Sequence, residues 1–442
     1  MSRLAGIPIA GNQRYSRFLL GAATLLAMLP GFASGQDAPR PVTLDEAIRL
    51  AIDAHPASVQ AAVQSSGARA DQLQARGALL PNVFLGGGYS NSSNQRFDQT
   101  TGQLVSENYT AQVQASYEIF GGGRRLAELR ATGADVRAAD ARERAQRFET
   151  ALVTTEIFFA AAAASDLLVA AEQRMARAEQ QLDFARARLE LGTATTSDEL
   201  RAEIEVGNAE LSVVDAQSSL RRSRLQLSRQ IGSEDEVTPA AASLPSEAPE
   251  LPETEQLVQR ALRSAPSVLA AEATLRSRGA DRLAALTPYL PTLRVNGGYD
   301  WTAFQFPPRE QSWSLRVTAS YPVFNGFQRE AALSRARAQE RLASVQARDA
   351  TLGARVSVES AVQDIEAAAR RSEISERSVV LAREDLRVQE ERYQIGATTI
   401  LELQASQVAL AEAEVASVRA RQELGSAVAR LEAILGEPIG DE

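Results

Sequence analysis

An internal repeat covers nearly all of this 442-residue chain and constrains its fold more than any other feature. Landmarks of the first half recur 210 residues later, as Pro56 does at Pro266 and Tyr89 at Tyr299. From "SYEIFGG" onward the offset is 204, and "SYPVFNG" is the second copy of that stretch. Self-similarity of this kind indicates two similar structural units in series.

Local composition divides the chain into segments. Arg14 and Arg17 precede an apolar run and a small-residue cleavage site, which is typical of a secretory signal peptide. The stretch between the two copies is acidic and rich in proline, and it predicts an extended linker. The predicted segments are the signal peptide at 1–35, the first repeat at 36–232, the linker at 233–253, the second repeat at 254–436 and a short tail at 437–442.

Each repeat contains a very long predicted helix, at 124–191 in the first copy and 328–395 in the second. At 1.5 Å per residue such a helix is about 100 Å long, far longer than a globular core requires. Apolar residues from Ile157 to Leu189 alternate at spacings of four and three, which is the pattern of a coiled-coil seam. Two shorter helices in each copy have the combined length to lie along the long one. A soluble helical rod is the plain alternative.

Each repeat also contains a predicted β-hairpin, at about 82–120 and 292–324. Apolar and polar residues alternate there over about ten positions, as they do in membrane β-strands. An ordinary hairpin with one buried face is the alternative. Aromatic residues at the strand ends form interfacial girdles in membrane barrels. The candidate girdle residues are Tyr89, Tyr109, Tyr117, Tyr299, Trp301, Trp313 and Tyr321.

The number of strands predicts that several chains share one barrel. Two hairpins give four strands, whereas the smallest membrane barrels have about eight, and open strand edges are not tolerated in lipid. Two chains would supply eight strands around a filled interior. Three chains would supply twelve strands and leave room for a pore.

Composition argues against several classes of function. The chain has no cysteine, one histidine at His55 and a net charge of −9, which disfavours thiol catalysis, zinc clusters, histidine triads and nucleic-acid binding. The glycine runs at 86–88 and 121–123 lack the Gly-Lys-Ser/Thr of a phosphate loop. We therefore predict no catalytic residue, no cofactor and no bound metal.

The ordered set of motifs, in two copies, resembles the TolC-like outer membrane factors. The resemblance rests on the helix–hairpin–helix plan, the "LP" step into each first strand, the "SYPVFNG" type of re-entry, and "GTATTSDEL" and "GATTILEL" in mid-copy. It implies a mainly α-helical chain with membrane β-structure. As a homotrimer, three chains would form a 12-stranded barrel in outer membrane lipid, continued by a long α-helical coiled-coil barrel in the periplasm. The implied partners are a periplasmic adaptor protein and a proton-driven or ATP-driven inner-membrane pump.

The Gly/Thr interruptions are predicted turns at the far end of the long helices. Glycine there can adopt the left-handed conformation that ends a helix, and Thr-x-x-Asp/Glu caps the next one. The resemblance makes this tip the site of adaptor docking and of channel closure. The tip and docking residues are Gly192, Thr195, Thr196, Gly396, Thr398 and Thr399.

By the same resemblance, Glu402 would form an acidic ring at the periplasmic gate, and Tyr393 would hydrogen-bond Asp198 as a latch. The best-known family member has an arginine where Thr398 stands and a second ring aspartate at Ala405, so we expect a looser gate. The alternative is that Glu402 and Asp198 only cap helices.

The functional expectation is an outer membrane channel of a tripartite export system, with small-molecule (multidrug or metal) efflux preferred. Type I protein secretion uses the same kind of channel and is the first alternative. A periplasmic adaptor or a structural coiled-coil protein is the alternative of a different class, although no lipoyl-like β domain is recognisable.

Overall fold

The structure is a computed structural model that describes residues 39–97, 102–240, 244–245 and 247–439. The predicted signal peptide lies outside the described residues. Within them, eight helices and six strands follow the same order twice. The helices are α1 (Leu44–Ala54), α2 (Pro56–Gly77), α3 (Arg124–Glu190), α4 (Thr196–Ile231), α5 (Thr254–Ser264), α6 (Pro266–Ala284), α7 (Gln328–Gln394) and α8 (Ile400–Leu435).

The strands are β1 (Arg40–Val42), β2 (Asn82–Phe97), β3 (Leu104–Gly121), β4 (Val237–Pro239), β5 (Thr292–Ala303) and β6 (Glu310–Ser320). A mainly helical chain with a duplicated helix–hairpin–helix plan is therefore confirmed. The long helices each contain 67 residues. Their length, about 100 Å, agrees with the repeat-based expectation.

The helices pack around the two long ones. In each copy the last helix runs beside the long helix, as α4 does beside α3 and α8 beside α7. The copies are joined because α3 also contacts α6 and α8 of the second copy. The predicted seam on α3 is buried at Ala161, Ala178, Leu182 and Ala185. Alanine at these positions lets the helix backbones approach closely.

Two apolar clusters hold the ends of the shorter helices to the middle of the long ones. In the first copy Phe158 and Leu227 pack with Val42 of β1 and Val237 of β4. In the second copy the cluster is larger, and it includes Leu257, Ile365, Leu424 and Leu431. Since these side chains are fully buried, they fix the register of the shorter helices along α3 and α7.

β1 and β4 form a small parallel pair that the sequence did not reveal. Arg40 pairs with Val237, Pro41 with Thr238 and Val42 with Pro239. Part of the region predicted to be an extended linker is therefore tied to the start of the first copy. Strands of three residues that contain proline give no alternating pattern, which is why sequence periodicity could not reveal them.

The other four strands form one antiparallel sheet in the order β2-β3-β5-β6. The contact between β3 and β5 joins the two copies, with Tyr117 opposite Val295 and Val113 opposite Tyr299. Within the described residues β2 and β6 are the edges of this sheet. The sheet is therefore continuous within one chain but open at both sides.

One face of this sheet is apolar and the other is polar. The apolar face carries large exposed side chains, among them Leu85, Trp313, Leu315 and Val317, each more than 60 % exposed. The opposite face carries Gln112, Gln114, Ser116, Arg294, Asn296, Ser314 and Arg316. Phe84 is an exception, because it lies among these polar residues. Exposed apolar side chains on this scale require lipid or a partner surface.

α3 contains an 18-residue stretch apolar enough to cross a membrane, and 44 % of that stretch is buried inside the molecule. The stretch includes Phe158 and Phe159, which pack in the first-copy core. Packing in this core therefore accounts for part of its apolar character.

Candidate functional site

The first tip turn is a helix stop followed at once by a helix start. Gly192 adopts φ +71°, which permits the sharp turn after α3. The Thr195 hydroxyl accepts from the Asp198 backbone N–H at 3.3 Å, and the Asp198 carboxylate accepts from the Thr195 N–H at 2.9 Å. This reciprocal pair is a capping box at the start of α4, whose first residue is Thr196.

The second tip turn differs in how it uses its acidic residue. Gly396 has φ +75°, and the Thr399 hydroxyl accepts from the Glu402 N–H at 3.4 Å. The Glu402 carboxylate accepts instead from the hydroxyl of Thr398. Glu402 is exposed. Its charge is therefore accessible at the tip, whereas the Asp198 charge is engaged in capping.

Tyr393 is buried, with 4 % of its surface exposed, and it packs against Phe184 with 6.0 Å between ring centroids. Its hydroxyl makes no hydrogen bond within the described residues. Burial raises the pKa of the Tyr393 phenol, an effect that Arg188 partly offsets. The expected hydrogen bond between Tyr393 and Asp198 is not formed in this chain. The Asp198 carboxylate binds the Thr195 hydroxyl and N–H instead, both through Oδ2 at 2.9 Å.

Arg188 connects the two tip turns. It donates through Nη1 to the backbone oxygen of Tyr393 at 3.0 Å and through Nη2 to the backbone oxygen of Thr193 at 3.1 Å. Its guanidinium also lies 5.0 Å from the centre of the Tyr393 ring, close enough for a cation–π contact. Sequence analysis missed Arg188. Its only signal was the matching Arg392 of the second copy, also four residues before the turn glycine.

An apolar cluster beneath the turns supports this contact. It brings residues of α3 and α4 together with residues of α7 and α8, so that the two helical hairpins share one tip. Its buried members are Leu182, Ala185, Ala202, Leu386, Tyr393, Ile400, Leu403 and Leu410. Within one chain, the two hairpins are thus held together at the tip by apolar packing and by the polar contacts of Arg188.

Charged residues link the same helices further from the tip. Arg174 binds Glu205 at 2.6 Å, which joins α3 to α4. Glu414 of α8 forms ion pairs with Arg177 of α3 and Arg383 of α7, both at 3.6 Å. Within the described residues no group of three His, Asp or Glu side chains is arranged to hold a metal ion.

The aromatic residues of the sheet lie at different heights. Tyr109 is opposite Tyr89, with ring centroids 5.0 Å apart, and both are remote from the helices. Tyr117 lies near the helices, where its ring contacts Arg125. Eight residues of one strand separate Tyr109 from Tyr117, which is about 26 Å at 3.3 Å per residue. Barrel strands tilt by about 35–45°, so this length corresponds to about 18–21 Å across the membrane, somewhat less than the apolar band of about 25 Å.

The remaining candidate girdle residues fall between or near these levels. Tyr299 and Trp301 of β5 are in contact, with ring centroids 5.0 Å apart, and Trp313 of β6 is opposite Tyr299. Tyr321 directly follows β6 at the helical end of the sheet. The structure places all seven residues on or beside the sheet, but a girdle requires a complete barrel and stays a prediction.

Comparison with known proteins agrees with this architecture. The chain matches the family model of the outer membrane efflux proteins over residues 47–233 and 257–437. It is 27 % identical over 334 residues to the nickel-cobalt-cadmium resistance protein NccC of Alcaligenes xylosoxydans xylosoxydans, covering 74 % of this chain and 71 % of that protein. It is 26 % identical over 370 residues to protein CyaE of Bordetella pertussis, covering 82 % and 77 %.

A crystal structure of a membrane protein from Pseudomonas aeruginosa has the same fold, with a TM-score of 0.77 and 20 % sequence identity over 89 % of this chain and 93 % of that one. The family model matches both copies of the repeat and most of the chain. The chain therefore belongs to the outer membrane efflux protein family, whose members are transport channels of the outer membrane and not enzymes.

Proposed function

We propose that three copies of this chain form one export duct, with a 12-stranded barrel in the outer membrane and a helical tunnel in the periplasm. The observation that carries this proposal is the four-stranded sheet, which is apolar on one face and open at β2 and β6. Lipid does not tolerate open edges, and twelve strands leave room for a lumen. Channels of this family are trimers that work with a periplasmic adaptor and an inner-membrane pump.

The proposed cargo is small, and divalent metal ions are the first class to test. Two of the relatives are resistance proteins for nickel and cobalt, one of them for cadmium as well. The test is deletion of the gene in its own host and complementation with the full-length chain. Cellular nickel, cobalt and cadmium should rise in the deletion strain and fall on complementation. A chain without residues 1–35 is the control, since it should not reach the outer membrane.

The same strains separate the alternatives. If metal contents stay unchanged while dyes or antibiotics accumulate, the exported substrates would be organic molecules and not metal ions. Loss of a secreted protein from the medium, with no change in small molecules, would support type I secretion instead.

We further propose that the tip is the gate and the docking surface for the adaptor. The two turns with Gly192, Thr195, Thr196, Gly396, Thr398 and Thr399 would form the docking surface. Three copies of Glu402 would converge near the axis, where like charges repel each other and attract cations. The exposed carboxylate of Glu402 supports this assignment, since capping does not occupy it.

Single-channel recording tests the acidic ring. Glu402→Gln removes the charge but keeps a hydrogen-bond acceptor for Thr398, so cation selectivity should fall while thermal stability is retained. Unchanged selectivity with lower thermal stability would assign Glu402 to capping.

A further inference from the structure

A carboxylate at the base of the sheet is surrounded by arginines. Glu118 of β3 lies 3.4 Å from the guanidinium groups of Arg124, Arg125 and Arg294. Its side chain is 13 % exposed, whereas that of Arg294 is 60 % exposed. A guanidinium has five N–H donors, so one carboxylate at these long distances leaves donors of Arg124 and Arg294 free. The Arg125 side chain is 12 % exposed and also donates to the backbone oxygen of Ala78 at 3.0 Å.

The surrounding residues do not balance this positive charge. Arg124 has a second partner, Glu128, at 3.4 Å. Arg316 of β6 lies on the same face of the sheet, opposite Asn296, and within the described residues it has no hydrogen bond or ion pair. Four arginines therefore face two carboxylates in this part of the molecule.

Open space adjoins these arginines. A cavity of about 630 Å³ is lined by Arg124, Arg125 and Arg294 together with uncharged polar groups of Asn82 and Ser116. A second cavity of about 380 Å³ lies next to it and is lined by Arg316, Gln114 and Ser314. Both cavities share Asn82, Ser116 and Asn296. The combined space is large enough for a small solute and its water shell.

Arg294 of β5 and Arg316 of β6 lie on the polar face of the sheet, and Arg124 and Arg125 at the start of α3 adjoin its base. Glu118 pairs directly with Arg294 across β3 and β5, and neighbouring Tyr117 and Val295 point to the apolar face. Strands of a membrane barrel alternate between lipid and lumen. In the proposed trimer, three such clusters would therefore surround the lumen where the helical tunnel enters the barrel.

We propose that this arginine cluster, defined by Arg124, Arg125, Arg294 and Arg316, binds carboxylate or phosphate groups of anionic solutes in the lumen. The planar guanidinium fork matches the oxygens of both groups and binds them through paired, charge-assisted hydrogen bonds. Glu118 keeps three of the arginines close together, and an incoming anion neutralises the charge that remains. The site rests on the proposed function only for its place in the conduction path.

The proposal is tested on the purified full-length protein with inorganic phosphate as the probe. Equilibrium dialysis with radiolabelled phosphate measures binding, and conductance in phosphatidylcholine bilayers measures block. Arg294→Gln and Arg316→Gln, alone and together, should each weaken binding and block about tenfold, because each removes hydrogen bonds to a charged group. Arg309→Gln is the matched control, since Arg309 lies in the exposed connection between β5 and β6.

The outcomes separate this proposal from the duct itself. Saturable binding that weakens in Arg294→Gln and Arg316→Gln, but not in Arg309→Gln, supports the site. Absence of saturable binding, or equal binding by all variants, overturns it even if the protein is a conducting trimer. Binding that depends on these arginines in a protein that does not conduct would keep the site and reject the duct. Phospholipid that copurifies with the wild type but not with Arg294→Gln or Arg316→Gln would identify lipid headgroups as the ligand and also overturn the proposal.

Discussion

Arg188 and Arg392 occupy matching positions in the two copies, and only Arg188 reaches the other copy. Arg392 donates to the backbone oxygen of Ala397 in its own turn at 3.5 Å, as Arg188 does to Thr193. Arg188 adds the bond to the Tyr393 oxygen and the contact with its ring. Arg188 and Arg392 thus make different contacts although they occupy matching positions of the repeat.

We expect Arg188→Gln to loosen the tip. The variant loses the charge-assisted hydrogen bond to the Tyr393 oxygen of the other copy, worth about 1.5–3 kcal/mol, so the ratio of open to closed channels should rise about 10- to 100-fold. Single-channel recording measures this ratio. Arg392→Gln is the matched control and should change it little. Equal effects of the two substitutions would show that Arg188 has no special role in closure.

Tyr393→Phe should leave conductance unchanged, because the Tyr393 hydroxyl makes no hydrogen bond within the described residues. Asp198→Ala should lower thermal stability through loss of a helix cap, which is worth about 1 kcal/mol, without opening the channel. Thr399→Ala, at the cap of the other turn, should have a similar effect on stability. Increased conductance in the Tyr393→Phe, Asp198→Ala double variant would instead support the Tyr393–Asp198 latch expected from the family resemblance.

Sequence spacing predicted part of this tip. The Thr195/Asp198 capping box follows from local spacing, because its hydrogen bonds depend on a few residues of one backbone. The contact of Arg188 with Tyr393 joins residues 205 positions apart. It depends on how two helical hairpins pack, which no local pattern encodes.

One contact between helices depends on the absence of a side chain. A Cβ placed on Gly425 of α8 would lie 2.8 Å from Cδ2 of Phe159 on α3, and closer still to Cε2 of the same ring. Phe159 is 6 % exposed and packs against Phe158, so its ring has little room to move. The contact of α3 with α8 therefore depends on this glycine.

Gly425→Ala should destabilise the protein by about 1–3 kcal/mol, the usual cost of overpacking a well-packed core. Gly353→Ala on α7 is the matched control, since a Cβ added there would have no neighbouring atom within 4 Å. That control should gain up to about 1 kcal/mol from helix propensity. Thermal unfolding of both variants measures the difference. A neutral Gly425→Ala would mean that the Phe159 ring can be displaced at little cost.

The two faces of the four-stranded sheet are expected to meet different environments, lipid on the apolar face and the lumen on the polar face. Val317 lies on the apolar face of β6 and is 61 % exposed, whereas Ser320 lies on the polar face near the end of the strand. Val317→Arg should cost roughly 2–4 kcal/mol if it lies near the membrane midplane. Folding into lipid vesicles measures this cost, with Ser320→Arg as the control. Equal folding of both variants would reverse the assignment of the faces.

The sequence predicted which long segments are helices and which are strands, because their periodic patterns extend over many residues. Sixty-seven residues of helical periodicity and about ten of strict alternation outweigh local exceptions such as Phe84. The β1–β4 pair could not be found in this way, because three residues show no period. The order β2-β3-β5-β6 was also out of reach, since pairing between hairpins depends on contacts far apart in sequence.

The contacts between the two copies predict how the open sides of the whole molecule would be covered by neighbouring chains. Within one chain, α3 of the first copy contacts α8 of the second, and β3 contacts β5. The same relation from the second copy onward would pair α7 with α4, and β6 with β2, of a neighbouring chain. Both outer helices carry exposed apolar residues at coiled-coil spacings. These residues are Leu200, Ile204 and Leu211 on α4, and Leu381 and Val388 on α7.

We expect three chains to form a closed ring through these contacts. Two would give eight strands and a filled barrel, whereas three give twelve strands and a lumen. Native mass measurement in detergent should therefore find about three times the mass of one chain. Ile204→Glu combined with Val388→Glu should shift the protein towards monomers, because it places charges in the expected contact of α4 with α7. Gly353→Ala, on the same long helix, should leave the mass unchanged. A stable monomer that conducts ions in a bilayer would contradict the shared barrel, since its four strands could not enclose a lumen in lipid.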